Sequence, residues 1–418
     1  MKKGKRYLAF PAWAGSEHKK TGLVSISCGD RILYEYRRPL GKREGEPDYY
    51  FYLPIPETGE EIGVLGEDPL TWRFLHRTDE PEYPREDGDS IHYHAPFGFI
   101  NDPNGCIYSE GIWHVYHQHN PFDTVWGNMT WGHAVSSDLV HFQFVSDVLF
   151  PDQDGVMYSG CGIRNERKAF GLPGEALLFF YTCAGGVEDT FSRDGCFTQR
   201  MAYSLDEGRT LEKYPGWEIP VMEKETRDPK VFWHEGSGSY CMVLYLAGNR
   251  FGLLRSADLQ HWDLVQELDF PPMWECPDLI RLRDEASDRE KWAFLSADGY
   301  YYLGSFDGYA FRGEGGMQKL YEGGLPYAAQ TFSGVEGRTV QICWLRTENR
   351  GEIWTGMMGL PRELSLGKDR DGFYIRQSFV REAEGFLDRK DGFLIAEDRF
   401  VRESISPDGR LLKAGQLW

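Results

Sequence analysis

The sequence predicts an all-β protein, on three observations. Short apolar and aromatic runs dominate the chain: "WHVYHQ", "ALLFFYTC", "YCMVLYLAG", "KWAFLSA", "YYYLGSF" and "TVQICWL". Each has the length of a strand and is bounded by Gly, Asp, Asn or Pro, whereas the periodicity of amphipathic helices is scarce. A degenerate repeat is the second observation. "SSDLVHF" (136–142) matches "SADLQHW" (256–262), and "YSLDEGRTL" (203–211) and "GSFDGYAF" (304–311) are looser copies. Copies spaced by roughly 50–70 residues, each between two strands, predict four-stranded propeller blades that end in similar hairpins. Thirdly, aromatic residues make up 15% of the chain, which suits pleated, half-buried surfaces.

In chain order, residues 1–77 come first. "GLVSISCGDRILYEYRRPL" and "DYYFYLPI" read as hairpin strands, so a small β-sandwich-like domain is expected there. Residues 78–89, "TDEPEYPREDGD", are acidic and carry prolines, the composition of a linker. The repeats fall in 90–370, which is expected to hold the propeller and the site. Residues 371–418 form a charged tail in which "DGFYIRQSF" and "DGFLIAEDRFV" can each supply a strand.

Composition narrows the function. The chain has 65 acidic and 46 basic residues, a net charge of −19. A field of that sign repels phosphate and argues against nucleic-acid or anionic-membrane partners. A neutral polyol fits better. No apolar run approaches the length of a membrane span. The basic start "MKKGKRYLAF" lacks the apolar segment of a secretory leader. The eight Cys are scattered without a CxxC pair, which predicts reduced thiols and a cytoplasmic location.

Three acidic stretches stand out. In "FGFINDPNG" (97–105), Asp-Pro-Asn-Gly by itself reads as a β-turn. "ETRDPKVFW" sets Asp228 between Arg227 and Pro229, and "PPMWECPDLIRL" sets Glu275 between Trp274 and Cys276. Each carboxylate stands at the start of an apolar run. In a propeller, such starts converge on the central channel. A following Pro predicts extended backbone at Asp102 and Asp228. Trp274 and Cys276 predict a desolvated Glu275 that holds its proton, while Arg227 would keep Asp228 ionised. One charged and one protonated carboxyl is what glycoside hydrolysis requires.

"NDPNG", "RDP" and "EC", in this order and at these separations, resemble the β-fructofuranosidases of glycoside hydrolase family 32, the invertases, levanases, inulinases and their relatives. "WHVYHQHNPFDTVWGNMTWGHAVSSDLVHF", "MYSGCG", "FDGYAF", "YAAQTF" and "GLPRELSL" extend the resemblance over about residues 90–367. It implies a five-bladed propeller and release of fructosyl units from sucrose, fructo-oligosaccharides or fructans with retention. Asp102 would be the nucleophile, Glu275 the acid/base and Asp228 the stabiliser of the transition state. Retention requires the two reacting carboxyls to lie about 5–5.5 Å apart. Asn101, Gln118, Trp126, Ser159 and Arg227 match positions that line the fructosyl pocket, though Trp126 also suits a core. No cofactor or metal is implied.

The chain departs from the family pattern in places. Phe99-Ile100 replaces Trp-Met, and Leu325-Pro326 replaces Asp-Phe, both expected at the pocket rim. The usual C-terminal β-sandwich is absent or reduced to the tail, so the N-terminal block or a homo-oligomer partner is expected to cover part of the propeller. Fructosyl transfer to another sugar, hydrolysis of another glycoside, and non-catalytic fructan binding are the alternatives. "HYH" (92–94) and "HQH" (117–119) lack a third metal ligand, and "PDQDG" (151–155) lacks the rest of a calcium loop.

Overall fold

The computed structural model describes residues 6–14, 21–39, 45–56, 60–66, 69–85, 90–187, 195–219, 221–284 and 289–417. Among them the regular structure is almost wholly β, with one short α-helix, Pro69–Phe74, and three short 3-10 segments. No described helix is long and apolar enough to cross a membrane.

Five sheets follow one another between residues 98 and 379, each built on four antiparallel strands in chain order, and Trp354–Thr355 crosses back to join the first in parallel. The first holds Gly98–Ser109, Ile112–Asn120, Thr130–Ser136 and Gln143–Leu149, and the second Val156–Arg164, Leu177–Ala184, Phe197–Ser204 and Glu212–Ile219. The third holds Arg227–His234, Ser239–Ala247, Arg250–Ser256 and Asp263–Asp269. The fourth holds Asp278–Asp284, Arg289–Leu295, Tyr300–Phe306 and Phe311–Lys319. The fifth holds Pro326–Thr331, Thr339–Leu345, Arg362–Lys368 and Phe373–Phe379. Second strands such as Leu177–Ala184 and Ser239–Ala247 are buried on both faces. Continuous apolar runs in place of strict alternation follow from that.

The repeated segments are the turns between third and fourth strands. Asp138 Oδ1 accepts from the backbone N–H groups of Val140 and His141, and Asp258 Oδ1 accepts from those of Gln260 and His261. In each, the His Nδ1 lies 2.8 Å from the other Asp oxygen. Asp206 and Asp307 anchor the same turn in the second and fourth sheets. A fifth Asp turn, at Asp369, joins the last two strands of the fifth sheet.

The first strands of the five sheets are joined in a closed ring of bonds. Gly160 N–H donates to Asn104 Oδ1 (3.3 Å), and Val231 N–H to Cys161 Sγ (3.1 Å). Lys230 Nζ pairs with Asp278 Oδ2 at 3.3 Å. That same oxygen accepts from Thr331 N–H and Oγ1. Gln330 closes the ring: its Oε1 accepts from Cys106 N–H, and its Nε2 donates to Pro103 O and Gly160 O.

Two three-stranded sheets precede the five. One orders Tyr49–Pro54, Tyr7–Ala12 and His76–Thr78; the other orders Arg31–Pro39, Thr21–Cys28 and Ile62–Leu65. They share an apolar cluster that includes Phe10, Ile26, Tyr36 and Phe51 and reaches into Phe97, Phe122 and Phe150 of the larger body. The expected linker is packed at its start: Tyr83 meets Phe97 and Phe144, and Glu82 O accepts from Tyr52 OH. Residues 86–89 lie outside the described residues.

The tail differs from expectation. Phe373–Phe379 pairs along its length with Arg362–Lys368 and completes the fifth sheet. Leu387–Lys390, Phe393–Glu397, Val401–Ile405 and Leu412–Gln416 form an antiparallel meander, which Tyr321–Glu322 joins in parallel. Only Val401–Ile405 comes near to alternating burial, and strands of four or five residues in charged sequence are weakly signalled.

Candidate active site

The same local device recurs at one end of four first strands. Register shifts place one extra residue between Ile100 and Pro103, Met157 and Gly160, Arg227 and Lys230, and Tyr327 and Gln330. These are β-bulges, which bend a strand and re-aim its side chains. They hold Asn101 and Asp102, Tyr158 and Ser159, Asp228 and Pro229, and Ala328 and Ala329. The Asp-Pro-Asn-Gly segment is therefore part of a twelve-residue strand and not a turn; the bulge absorbs the Pro that a regular ladder would reject. Asp228 is not extended as Pro229 predicts. Its φ is 62°, and Glu275, Cys276 and Ala328 take 28°, 43° and 49°. Four non-glycine residues in this sparsely populated region, all near one cavity, are backbone strain of the kind found at functional sites.

That cavity, of about 430 Å³, is lined by Asp102, Asp228 and Glu275 together with Asn101, Gln118, Trp126, Ser159 and Arg227. All eight residues singled out in the sequence meet there. Tyr158, Val187, Phe197, Glu225, Tyr327 and Trp344 complete its wall. Trp126 is 49% exposed, a rim residue and not core.

The acids are wired together. Asp102 Oδ2 accepts from Ser159 Oγ at 2.7 Å, and Oδ1 from Asn101 Nδ2 at 3.1 Å. Cys276 Sγ lies 3.5 Å from Asp102 Oδ2 and 3.5 Å from Asp228 Oδ2, so one thiol stands between two carboxyls. Asp228 Oδ2 also accepts from Cys276 N–H at 3.0 Å. Behind it, Asp228 N–H donates to Thr182 Oγ1, which donates to Gln199 Oε1. Arg227 gives Nε (3.1 Å) and one terminal nitrogen (2.8 Å) to Glu275 Oε2, and Tyr327 OH donates to Oε1 at 2.7 Å. The guanidinium lies over the Tyr245 ring, 4.4 Å from its centroid.

This overturns one electrostatic expectation. Arg227 hydrogen-bonds Glu275 and stands 3.7 Å from Asp228. Burial pushes Asp228 up to about 7 against the pull of Arg227, with Glu275 and Asp102 adding to the rise. Burial, then the charge of Glu275, also raises Asp102, which the bonds from Ser159 and Asn101 oppose. Nor is Glu275 shut away by Trp274 and Cys276. Its side chain is 21% exposed, and Cys276 turns to the two aspartates. Burial thus favours the protonated form of Asp228.

The expected rim substitutions also lie elsewhere. Ile100 and Pro326 are buried, and Phe99 packs edge-on behind Trp344 at 6.1 Å. The rim there is Trp344 and Tyr327. In "TVQICWL" and "PYAAQT" only the aromatic type hints at this, and it does not separate wall from core. The histidines of "HYH" and "HQH" are engaged in the scaffold. His92 bridges Asp398 and Glu403, His94 stacks on Trp354, His117 meets Tyr93 OH, and His119 bridges Asp147 and Phe97 O.

Comparison with known proteins places this architecture. Residues 92–377 match the Glycosyl hydrolases family 32 N-terminal domain, and the chain belongs to that family. The levanase of Bacillus subtilis (strain 168) is 32% identical over 382 residues, covering 83% of this chain and 54% of that protein. An extracellular exo-inulinase of Meyerozyma guilliermondii is 33% identical over 305 residues, 64% of this chain and 57% of that one. The chain thus spans a little over half the length of such curated relatives. The fructofuranosidase from Schwanniomyces occidentalis, solved with fructose, aligns at a TM-score of 0.63 and 28% identity over 74% of this chain and 65% of that one. The exo-inulinase from Aspergillus awamori aligns at 0.72 and 20% identity over 80% and 93%, a likeness of fold.

Proposed function

We propose that the protein is a retaining β-fructofuranosidase acting on sucrose, fructo-oligosaccharides or fructans. The observation that carries this reading is the meeting of Asp102, Asp228 and Glu275, distant in the chain, in one cavity of about 430 Å³. The levanase and exo-inulinase likenesses support the substrate class. The closed ring of bonds among five consecutive sheets supports a five-bladed propeller as the scaffold, with the N-terminal sheets as a separate small domain. The eight cysteines, scattered without a CxxC pair, fit a reducing, cytoplasmic compartment.

In this reading Asp102 attacks the anomeric C2 of a β-fructofuranosyl unit. The bond from C2 to the leaving oxygen breaks, and Glu275 gives that oxygen its proton. Glu275 then takes a proton from water, which attacks C2 and frees Asp102 from its ester. Asp228 binds sugar hydroxyls and stabilises the developing positive charge. Arg227 touches both acids and holds them in one charge network. Asn101 Oδ1 is buried without a hydrogen-bond partner, an acceptor suited to a substrate hydroxyl.

The test is fructose release from sucrose, inulin, levan and a short fructo-oligosaccharide by the wild type and by Asp102→Asn. Release by the wild type and a loss of several orders of magnitude in the variant support the reading. No release from any of the four, or near-normal turnover in Asp102→Asn, contradicts it. Mainly longer oligosaccharides at high sucrose would shift the reading to fructosyl transfer.

A further inference from the structure

Trp126 stands on the rim loop between Asn120 and Asn128, and the cavity has no other described residue from that loop. The base of the loop is held from outside the family-matched region, by the N-terminal sheets. Strand Arg31–Pro39 lies at the edge of its sheet, and a free edge offers backbone groups to a partner. The Asn128 side chain takes that place. Its Oδ1 accepts from Arg37 N–H at 2.5 Å, and its Nδ2 donates to Arg37 O at 2.7 Å. The same amide reaches back across the loop to Asn120 Oδ1 at 3.2 Å. Asn128 has a φ of 45°, a conformation that Asn tolerates better than most residues.

Beside this amide clamp, Phe122 is gripped by two N-terminal aromatics. The Tyr36 ring stacks on it at 3.8 Å with 8° between planes, and Phe51 meets it edge-on at 4.3 Å. Asn120 Nδ2 donates to Val125 O, directly before Trp126. On the far side Thr355 Oγ1 donates to Thr124 O. Trp126 then meets Tyr158 edge-on at 6.2 Å, in the cavity wall.

We propose that the N-terminal sheets clamp the 120–128 loop through Arg37, Tyr36 and Phe51, and that this clamp positions Trp126 and so sets the affinity for the sugar. The inference rests on the fructofuranosidase reading for its substrate. Tyr36, Arg37 and Phe51 are positioning residues: they act through Trp126 and touch no sugar. The N-terminal sheets are then a working part of the binding site, not an appendage.

Three variants test it. Asn128→Gly keeps the positive φ and deletes the amide. Tyr36→Leu removes the stack on Phe122. Tyr34→Leu is the control: it deletes the 5.2 Å pairing with Phe150 and the hydroxyl bond to Pro54 O, both away from the loop. Steady-state kinetics on sucrose should show KM raised about tenfold, a loss of about 1.4 kcal/mol, in the first two variants. kcat should stay within about twofold of wild type, and the control should leave KM unchanged. Hydrogen exchange of peptides over 120–128 reads the clamp without substrate, and should quicken in the first two variants alone. Unchanged KM in folded Asn128→Gly and Tyr36→Leu overturns the proposal, as does an equal rise in all three variants or unaltered exchange in the loop. A wild type that releases no fructose sinks the functional reading instead, and the exchange result then decides the clamp.

Discussion

Asp228 shows what the cavity asks of single residues. Its folded-state value, about 7, stands above the ordinary 3.8, so the native state favours the protonated carboxyl. The stability that follows is complete below 3.8 and is lost as pH rises through 7. Asp228→Asn, which keeps the size and tolerates a φ of 62°, should therefore stabilise the protein by roughly 1–3 kcal/mol at pH 8 and little at pH 4, while fructose release collapses. Melting curves at the two pH values check this. Glu275 tests the coupling from the other side. Its charge helps to raise Asp102, so Glu275→Gln should move the acid limb of kcat/KM for an activated fructoside to lower pH. An unmoved limb would separate the two carboxyls electrostatically. The three acids were legible in the sequence because each stands beside Pro, Trp or Cys at the mouth of an apolar run. Their charge states were not, because these depend on which acid Arg227 reaches across space.

Between residue and molecule, the bulged first strand is the recurring unit. It brings Asp102, Ser159 and Asp228 to one level while the strand beyond continues into the ring. Alternation along a strand assumes a period of two, so the bulges were invisible to it, and with them the inward turn of Tyr327. The Asp-anchored hairpin was legible because its Asp and its spacing recur. The copy at Asp369 escaped because "KDRDGF" lacks the Ser and the His-aromatic pair of the better copies. Lys230 and Asp278 bind the third strand bundle to the fourth a few residues below the acids, and both are buried. Asp278→Ala would leave the buried Lys230 ammonium without its counter-charge and Thr331 N–H without its acceptor, and should cost about 3–5 kcal/mol. Replacing both, with Lys230→Met and Asp278→Leu, should recover the charge part of that in a denaturant titration, but not the bonds to Thr331. If the double variant is no better than the single, the pair does more than satisfy its own charges.

At the scale of the whole molecule, the flanking sheets are tied to the central body at both ends of the chain. The meander near the C-terminus is latched by His92, whose Nδ1 lies 2.8 Å from Asp398 and whose Nε2 lies 3.1 Å from Glu403. Although burial opposes its charge, these two carboxylates raise His92 to about 9. Its contribution is complete below the ordinary 6.5 and disappears as pH climbs past 9. Wild-type stability should fall by roughly 2–3 kcal/mol across that window, and His92→Gln should flatten the fall. Nothing in "HYH" pointed to this, because its partners lie three hundred residues away. The cup that all these parts hold in place should carry a covalent intermediate, and trapping it shows which acid attacks. Glu275→Gln is mixed with an activated fructoside, quenched in acid, digested and weighed by mass spectrometry. One fructosyl group in ester linkage should appear on the peptide that carries Asp102, and none in Asp102→Asn. A wild type that releases fructose while Glu275→Gln shows the adduct on another residue would contradict attack by Asp102.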